Sequence, residues 1–434
     1  MSPKTSTTAE NAEAKPTLVP NLRFPEFRDV KPWRAIALRE VSNPVAERVG
    51  QRKLIPVSIS AGIGFVPQAE KFGRDISGNQ YQLYTLVNDG DFVYNKGNSL
   101  KFPEGCVYLL QGWEQVAAPN VFICFRLKDG YSNGFFQNCF EANAHGKQLK
   151  KHITSGARSN GLLNISKESF FGVAIPTPTL AEQQKIADCL SSVDELIAAQ
   201  ARKVDALKTH KKWLMQQLFP RESETQPRLR FPEFQDKEAW VNDSLGAIFN
   251  TSSGGTPDRS KEEYWNGNIP WITTSLVGFN VITEADELIT NAGLNNSSAK
   301  VFPKKTILIA MYGQGKTRGQ VAMLGIEAAT NQACAAILPR EEIDPRFVFL
   351  NLGSRYEEMR GLSNSGGQEN LSQGLIKGLQ FSYPKDVEEQ HRIADCLTSL
   401  DDLITAQTQQ LQTLKTHKKA LMQQLFPSAE GAGA

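Results

Sequence analysis

Six cysteines in 434 residues are too few and too scattered for a disulfide framework. None of Cys106, Cys124, Cys139, Cys189, Cys334 and Cys396 sits in a C-x-x-C pair, and the five histidines show no zinc-ligand spacing. Long apolar runs are missing too. Ile307 to Met311 is among the longest, well short of the ~18 residues that suggest a membrane span. Met1 to Pro20 is polar, with no apolar core or cleavage site, which argues against a secretory signal. The expectation is a reduced, cytoplasmic protein with no structural metal. A dominant charge is also lacking: 48 basic against 46 acidic residues leave a net +2, so a nucleic-acid surface has to be a local patch. Nowhere is there an Asn/Asp-Pro-Pro-aromatic methylase motif, an H-E-x-x-H or a G-x-S-x-G.

What is present is a duplication. Leu22-Arg23-Phe24-Pro25-Glu26-Phe27 returns as Leu229-Arg230-Phe231-Pro232-Glu233-Phe234, an offset of 207 residues. Trp33 and Trp240 keep that offset, as do Ile186-Ala187-Asp188-Cys189-Leu190 and Ile393-Ala394-Asp395-Cys396-Leu397. The run from Leu207 to Pro220 recurs from Leu414 to Pro427 with few changes. Each copy reads as an opening motif, a body and a long helix. This layout divides the chain into a disordered tail (1–21), a first body (22–179), a first helix (180–220) and a linker (221–228). A second body (229–386), a second helix (387–427) and a short tail (428–434) follow. The bodies are rich in Gly, Asn, Pro and aromatics, with short β-like runs at Gln82 to Val87, Asp91 to Tyr94, Val121 to Leu127, Thr306 to Met311 and Ala333 to Leu338. They read as compact α+β domains. Their sequences hardly resemble each other, which suits one frame carrying two different readers.

Neither Gly nor Pro interrupts Leu180 to Leu218, and Pro220 ends the pattern. Ile186, Leu190, Val193, Ile197, Val204 and Leu207 recur at alternating spacings of four and three once Gln200 is included. That is a coiled-coil seam. The second copy repeats it with Ile393, Leu397, Leu400, Ile404, Gln407, Leu411 and Leu414. At 1.5 Å per residue each helix is ~60 Å long. One such helix alone reads as a self-dimerising coiled coil, whereas two in one chain with matching polar interruptions favour pairing with each other. An antiparallel pairing in which Gln200 meets Gln407 places Lys211 near Asp395 and Lys418 near Asp188. The pattern alone does not decide between parallel and antiparallel.

One stretch imitates a phosphate-binding loop. Ala310-Met311-Tyr312-Gly313-Gln314-Gly315-Lys316-Thr317 follows an apolar strand, but Ala310 stands where the first Gly belongs. A helix must follow such a loop so that its N-terminus faces phosphate, whereas Arg318 to Leu324 reads as a returning strand. A hairpin tip carrying Gln314, Lys316, Thr317 and Arg318 suits DNA instead: Lys and Arg neutralise phosphates, and Gln or Arg bond base edges. Lys96, Asn98, Ser99 and Lys101 form an analogue in the first body. Arg158 and the segments holding Thr256 and Arg259, and Thr273 and Thr274, are further candidates. His210 and His417 lie beside paired lysines and read as solvated helix surface.

Two variable bodies, each followed by a helix ending Lys-Lys-x-Leu-Met-Gln-Gln-Leu-Phe-Pro, resemble the specificity subunit of Type I restriction–modification systems. Ala181-Glu182-Gln183-Gln184-Lys185-Ile186-Ala187 and Glu388-Glu389-Gln390-His391-Arg392-Ile393-Ala394 at the helix starts match as well. So do Gly254-Gly255-Thr256-Pro257 and Ile269-Pro270-Trp271-Ile272, which the first body lacks. The resemblance covers nearly the whole chain. It implies two target-recognition domains on an antiparallel helical spacer, reading a split, asymmetric double-stranded DNA site. It further implies docking of two modification (methyltransferase) subunits and of restriction (endonuclease/translocase) subunits. S-adenosylmethionine, ATP and Mg are then expected on those partners and none on this chain, which is not itself an enzyme. Removing the second helix is expected to abolish assembly and leave both bodies folded. A coiled-coil scaffold without DNA recognition and a P-loop NTPase are the alternatives.

Overall fold

The computed structural model describes residues 18–97, 102–153, 163–221, 224–313, 316–362 and 370–427. The chain forms two compact units, one of Met1–Gln200 with Gln410–Ala434 and the other of Ala201–Gln409. Both long helices are present, Leu180–Leu218 and Val387–Leu425, each of 39 residues. The units cut across the layout of a body followed by its own helix. Each combines one body with the start of the helix that follows it and the end of the other helix.

In the first unit, Arg34–Ala37 pairs antiparallel with Ala174–Thr177, closing the body at the helix start. One four-stranded sheet orders Ser42–Val45, Ile123–Leu127, Phe92–Asn95 and Cys106–Leu109. A second orders Gly64–Pro67, Ile55–Ser60, Gln115–Ala118 and Thr85–Asn88. The second unit repeats this plan. Val241–Ser244 pairs with Gln380–Tyr383. Thr251–Ser253, Cys334–Ile337, Ile307–Ala310 and Val321–Leu324 form one sheet, with Asn280–Ile282 added at its edge. Glu287–Ile289, Trp265–Ile272, Ala328–Thr330 and Val301–Phe302 form the other. Strand for strand the two bodies correspond, although their sequences do not. In the first body Ala61 to Ile63 joins two strands tightly, whereas in the second the equivalent connection grows to 273–286 and supplies the extra strand.

The duplicated motifs now have a physical cause. Arg23 donates from Nε and Nη2 to the two oxygens of Glu182 at 2.8 and 2.7 Å, and the Trp33 indole donates to the same carboxylate at 3.1 Å. Arg230, Trp240 and Glu389 repeat the clamp at 2.7, 2.7 and 3.1 Å. The carboxylate hydrogen bonds outweigh the burial of Arg23 and hold its pKa above the ordinary value. The next residue of each helix, Gln183 or Gln390, accepts from the backbone N–H of Ser132 or Asp344. Opening motif, body and helix start are thus tied at one point in each copy.

Each core also takes in the far end of a helix. Met422 and Leu425 join Trp33, Phe135, Ile186 and Leu190 in the first unit. Leu218 and Phe219 join Trp240, Phe347, Ile393 and Leu397 in the second. The Leu22 N–H donates to the Gln424 carbonyl at 2.9 Å, and the Leu229 N–H to the Gln217 carbonyl at the same distance. Lys418 reaches Asp194 at 2.8 Å and Lys211 reaches Asp401 at 2.5 Å. Moving from 424 back to 418 therefore means moving from 182 forward to 194, and the second unit behaves alike. Within each unit the helical segments run antiparallel.

The register differs by six residues from the one built on a Gln200–Gln407 pairing: Lys211 meets Asp401 rather than Asp395, and Lys418 meets Asp194 rather than Asp188. The apolar ends set it, and the displaced carboxylates have other partners, Arg346 for Asp395 and the Gln184 amide for Asp188. Along the seam Ile186, Leu190, Val204, Ile393 and Leu397 are buried. Val193, Ile197, Gln200, Leu207, Leu400, Ile404, Gln407, Leu411 and Leu414 are half-buried. Met422 and Leu425 belong to the first core, so loss of the second helix is expected to unfold the first body, against the expectation that both bodies stay folded.

Candidate nucleic-acid interface

A strand pair ends where its hydrogen-bond ladder stops, and in each body several strands stop at the same end. In the second body Thr251–Ser253, Trp265–Ile272, Ala328–Thr330 and Ile307–Ala310 finish there. The connecting loops are laced together by backbone hydrogen bonds. Gly255 N–H donates to Thr330 O at 2.9 Å, Asn331 to Ile272 at 3.0 Å, Met311 to Ala333 at 2.8 Å and Phe279 to Val321 at 2.8 Å. Five loop segments, near 256, 274, 279, 316 and 332, therefore share one end of the body.

Gly254 and Gly255 are required by this lacing. A Cβ on Gly254 would lie 1.8 Å from the Thr330 carbonyl oxygen, and one on Gly255 would lie 2.2 Å from Ser298 Oγ. Trp271 is buried and donates from its indole to the Gly255 carbonyl at 3.0 Å. The Gly-Gly-Thr-Pro and Ile-Pro-Trp pieces are thus two halves of one junction, which fixes the residues that follow Gly255.

Most of the candidates expected in the second body meet here. Thr256 donates its hydroxyl to Gln332 Oε1 at 2.6 Å. The hydroxyls of Thr273 and Ser275 lie 2.5 Å apart, sharing a hydrogen bond, and Thr274 opens the 3-10 turn Thr274–Leu276. Lys316 is exposed, and its carbonyl accepts from the Tyr356 hydroxyl at 2.5 Å. Thr317 and Arg318 are half-buried, and Arg318 donates to the Arg360 carbonyl at 3.0 Å, which anchors the hairpin. Gln314 lies outside the described residues. Arg259 is committed elsewhere: its guanidinium covers Trp265 at 3.9 Å and Trp271 at 5.0 Å and pairs with Glu287 at 2.7 Å. It braces the loop against the sheet instead of standing as an unmatched cation.

The hairpin after Ile307–Ala310 returns as the antiparallel strand Val321–Leu324. No helix N-terminus follows Lys316, so the geometry of a P-loop is not formed. In the first body the turn between Phe92–Asn95 and Cys106–Leu109 occupies the equivalent place. Lys96 is half-buried there, and its carbonyl accepts from the Leu163 N–H at 2.8 Å. Asn98, Ser99, Lys101 and Arg158 lie outside the described residues. Exposed apolar side chains stand at these loop ends as well: Ile63 and Val121 in the first body, Phe279 and Tyr312 in the second. Sequence reasoning missed Gln332, because one amide in a turn between two apolar runs carries no distinguishing pattern.

Comparison with known proteins places this architecture. A family described as the Type I restriction modification DNA specificity domain matches residues 79–209 and 237–416. The chain belongs to that family. One curated relative is the specificity subunit of the Type I restriction enzyme EcoR124I/EcoR124II of Escherichia coli, 29% identical over 171 residues, 39% of this chain and 42% of that protein. Another is the MjaVIII specificity subunit of Methanocaldococcus jannaschii, 25% identical over 289 residues, 64% of this chain and 67% of that protein. Among solved structures, one described as the Type I restriction–modification S subunit from M. genitalium superposes with a TM-score of 0.53 at 16% identity, covering 95% of this chain and all of that one. A chain from a study of complex assembly in the Type I system gives 0.59 at 17%, covering 92% and 98%. These two likenesses concern the fold. Among the described residues no helix is long and apolar enough to cross a membrane, and no cluster of His, Cys, Asp and Glu could hold a metal.

Proposed function

We infer that this chain is the DNA-specificity subunit of a cytoplasmic Type I restriction–modification complex. One observation carries the reading: two bodies of corresponding strand plan, the second with one edge strand more, sit on the same duplicated frame, yet their clustered loops bear different side chains. Equal frames with unequal loop chemistry suit two unlike half-sites of one split DNA sequence. The chain acts by positioning. Methyl transfer and ATP-driven cleavage belong to modification and restriction subunits, which carry S-adenosylmethionine, ATP and Mg.

A second duplication supports docking of one partner twice. In the second unit a groove of about 640 Å³ is lined by Lys208, Lys212, Gln216 and Phe219 of the helix end and by Tyr356 and Glu357 of the body. In the first unit Lys415, Lys419, Gln423 and Phe426 line one of about 710 Å³ with Glu141 and Asn143. Packing explains the retention of Phe219 and Phe426. It does not explain why exposed Lys208, Lys212 and Gln216 recur unchanged as Lys415, Lys419 and Gln423, whereas a common partner surface does.

The test is a genome-wide map of N6-methyladenine in the source cell with and without this gene. A split motif with two unrelated halves should lose methylation on deletion. An unchanged map, with the partners still assembling, favours a scaffold that does not read DNA.

A further inference from the structure

We propose that Gln332 is a base-reading residue of the second body, positioned by Thr256, and that it recognises an adenine edge in the major groove. The inference rests on the specificity reading above. Gln332 is exposed on the turn between Ala328–Thr330 and Cys334–Ile337, at the loop end where Lys316 also stands. An exposed glutamine ordinarily samples many rotamers, and ordering it on binding carries an entropic cost. Here that freedom is already restricted. The Thr256 hydroxyl holds Oε1 at 2.6 Å. Thr256 in turn follows Gly255, whose N–H is bonded to Thr330 and whose carbonyl accepts from the Trp271 indole. The turn itself is pinned by the Ala333 N–H donating to Asn331 Oδ1 at 3.1 Å.

The hydroxyl satisfies one lone pair of the amide oxygen of this exposed side chain, and the second lone pair and the NH₂ group remain for a base edge. That is an acceptor and a donor side by side, complementary to N6–H and N7 of adenine. Guanine offers two acceptors at the same edge, so this amide discriminates against it. In the first body the equivalent turn carries Asn120 and exposed Val121. The reading position thus changes chemistry between the bodies, while the exposed groove residues of the helix ends do not.

The experiment uses the full chain assembled with its modification subunits and the split motif taken from the methylation map. Gln332→Ala should relax the requirement for adenine at one position of one half, by about tenfold or more, with other positions within about twofold. Duplexes carrying 7-deazaadenine at that position, which keep N6–H but lose the N7 acceptor, should bind wild type less tightly than adenine and more tightly than the mismatch, and should leave Gln332→Ala unaffected. Thr256→Val should relax the same position, and Thr256→Ser, which keeps the hydroxyl, should restore it. Unchanged preference in Gln332→Ala, or a uniform loss over both halves, overturns the assignment while the specificity reading stands. Absence of any sequence preference in the wild-type complex overturns both.

Discussion

The buried carboxylates Glu182 and Glu389 each satisfy an arginine and an indole, with side-chain exposures of 1% and 0%. Removing one partner of such a pair leaves the other charge buried and uncompensated. Glu389→Ala should therefore destabilise the second unit by about 3–5 kcal/mol, read as a lowered urea midpoint for that unit, and Glu182→Ala should do the same to the first. An unmoved midpoint would show the clamp to be dispensable. His145 supplies a pH-dependent counterpart. Its ring packs edge-on against Phe140 at 5.7 Å and Tyr94 at 6.1 Å. Burial pushes its pKa down from 6.5 to about 4, against a smaller opposing effect of the Gly105 backbone. Between these values the unfolded chain binds a proton that the folded chain does not. The His145 contribution to the stability of the first unit is thus complete above pH 6.5 and falls by up to about 3 kcal/mol as the pH drops toward 4. His145→Met should flatten that part of the profile, and equal acid sensitivity in both proteins would count against it.

At the scale of elements, the long helices were legible because one apolar position every three or four residues over some forty residues fits little else. Their register was not. Gln200 and Gln407 are natural partners by pattern, but the seam is set by Met422 and Leu425 against one body and Leu218 and Phe219 against the other, contacts that no spacing reveals. The returning strand after Lys316 was readable because a helix start needs different residues, and the analogy between the hairpins near 96 and 316 follows from their equivalent strands. That the Arg259 guanidinium lies over Trp265 and Trp271 and pairs with Glu287 was not readable from the sequence, because no spacing pattern brings those partners together. The grooves supply the prediction at this scale. Lys208→Glu with Lys212→Glu reverses charge in one groove only, and Lys415→Glu with Lys419→Glu in the other. Each pair should yield a complex short of one modification subunit by native mass spectrometry, and the quadruple variant should retain none. A full complement in either double variant would remove that groove from the partner surface.

At the scale of the whole chain, the duplication was visible but its partition was not. The second unit is one continuous stretch, Ala201–Gln409, whereas the first is assembled from both ends of the chain. The residues that complete them, Leu214 to Pro220 and Leu421 to Pro427, are identical in sequence, so no pattern assigns either to a particular body. Contacts do. Leu22 bonds to Gln424 as Leu229 bonds to Gln217, so the first unit is a circular permutation of the second. Ending the chain after Gln409 should therefore act selectively. It takes Met422 and Leu425 out of the first core together with the Lys418 links to Asp194 and Glu141. Each large apolar loss costs about 2–5 kcal/mol, and together these approach the whole stability of a domain, about 5–15 kcal/mol. The second unit keeps every residue assigned to it. Hydrogen exchange on the truncated chain should show lost protection in the strands Phe92–Asn95 and Ile123–Leu127, while Ile307–Ala310 and Cys334–Ile337 stay protected. Supplying a peptide of residues 410–427 should restore the first set. Equal protection in both units after truncation would mean that the helix end only rests on the first body and is not part of its core.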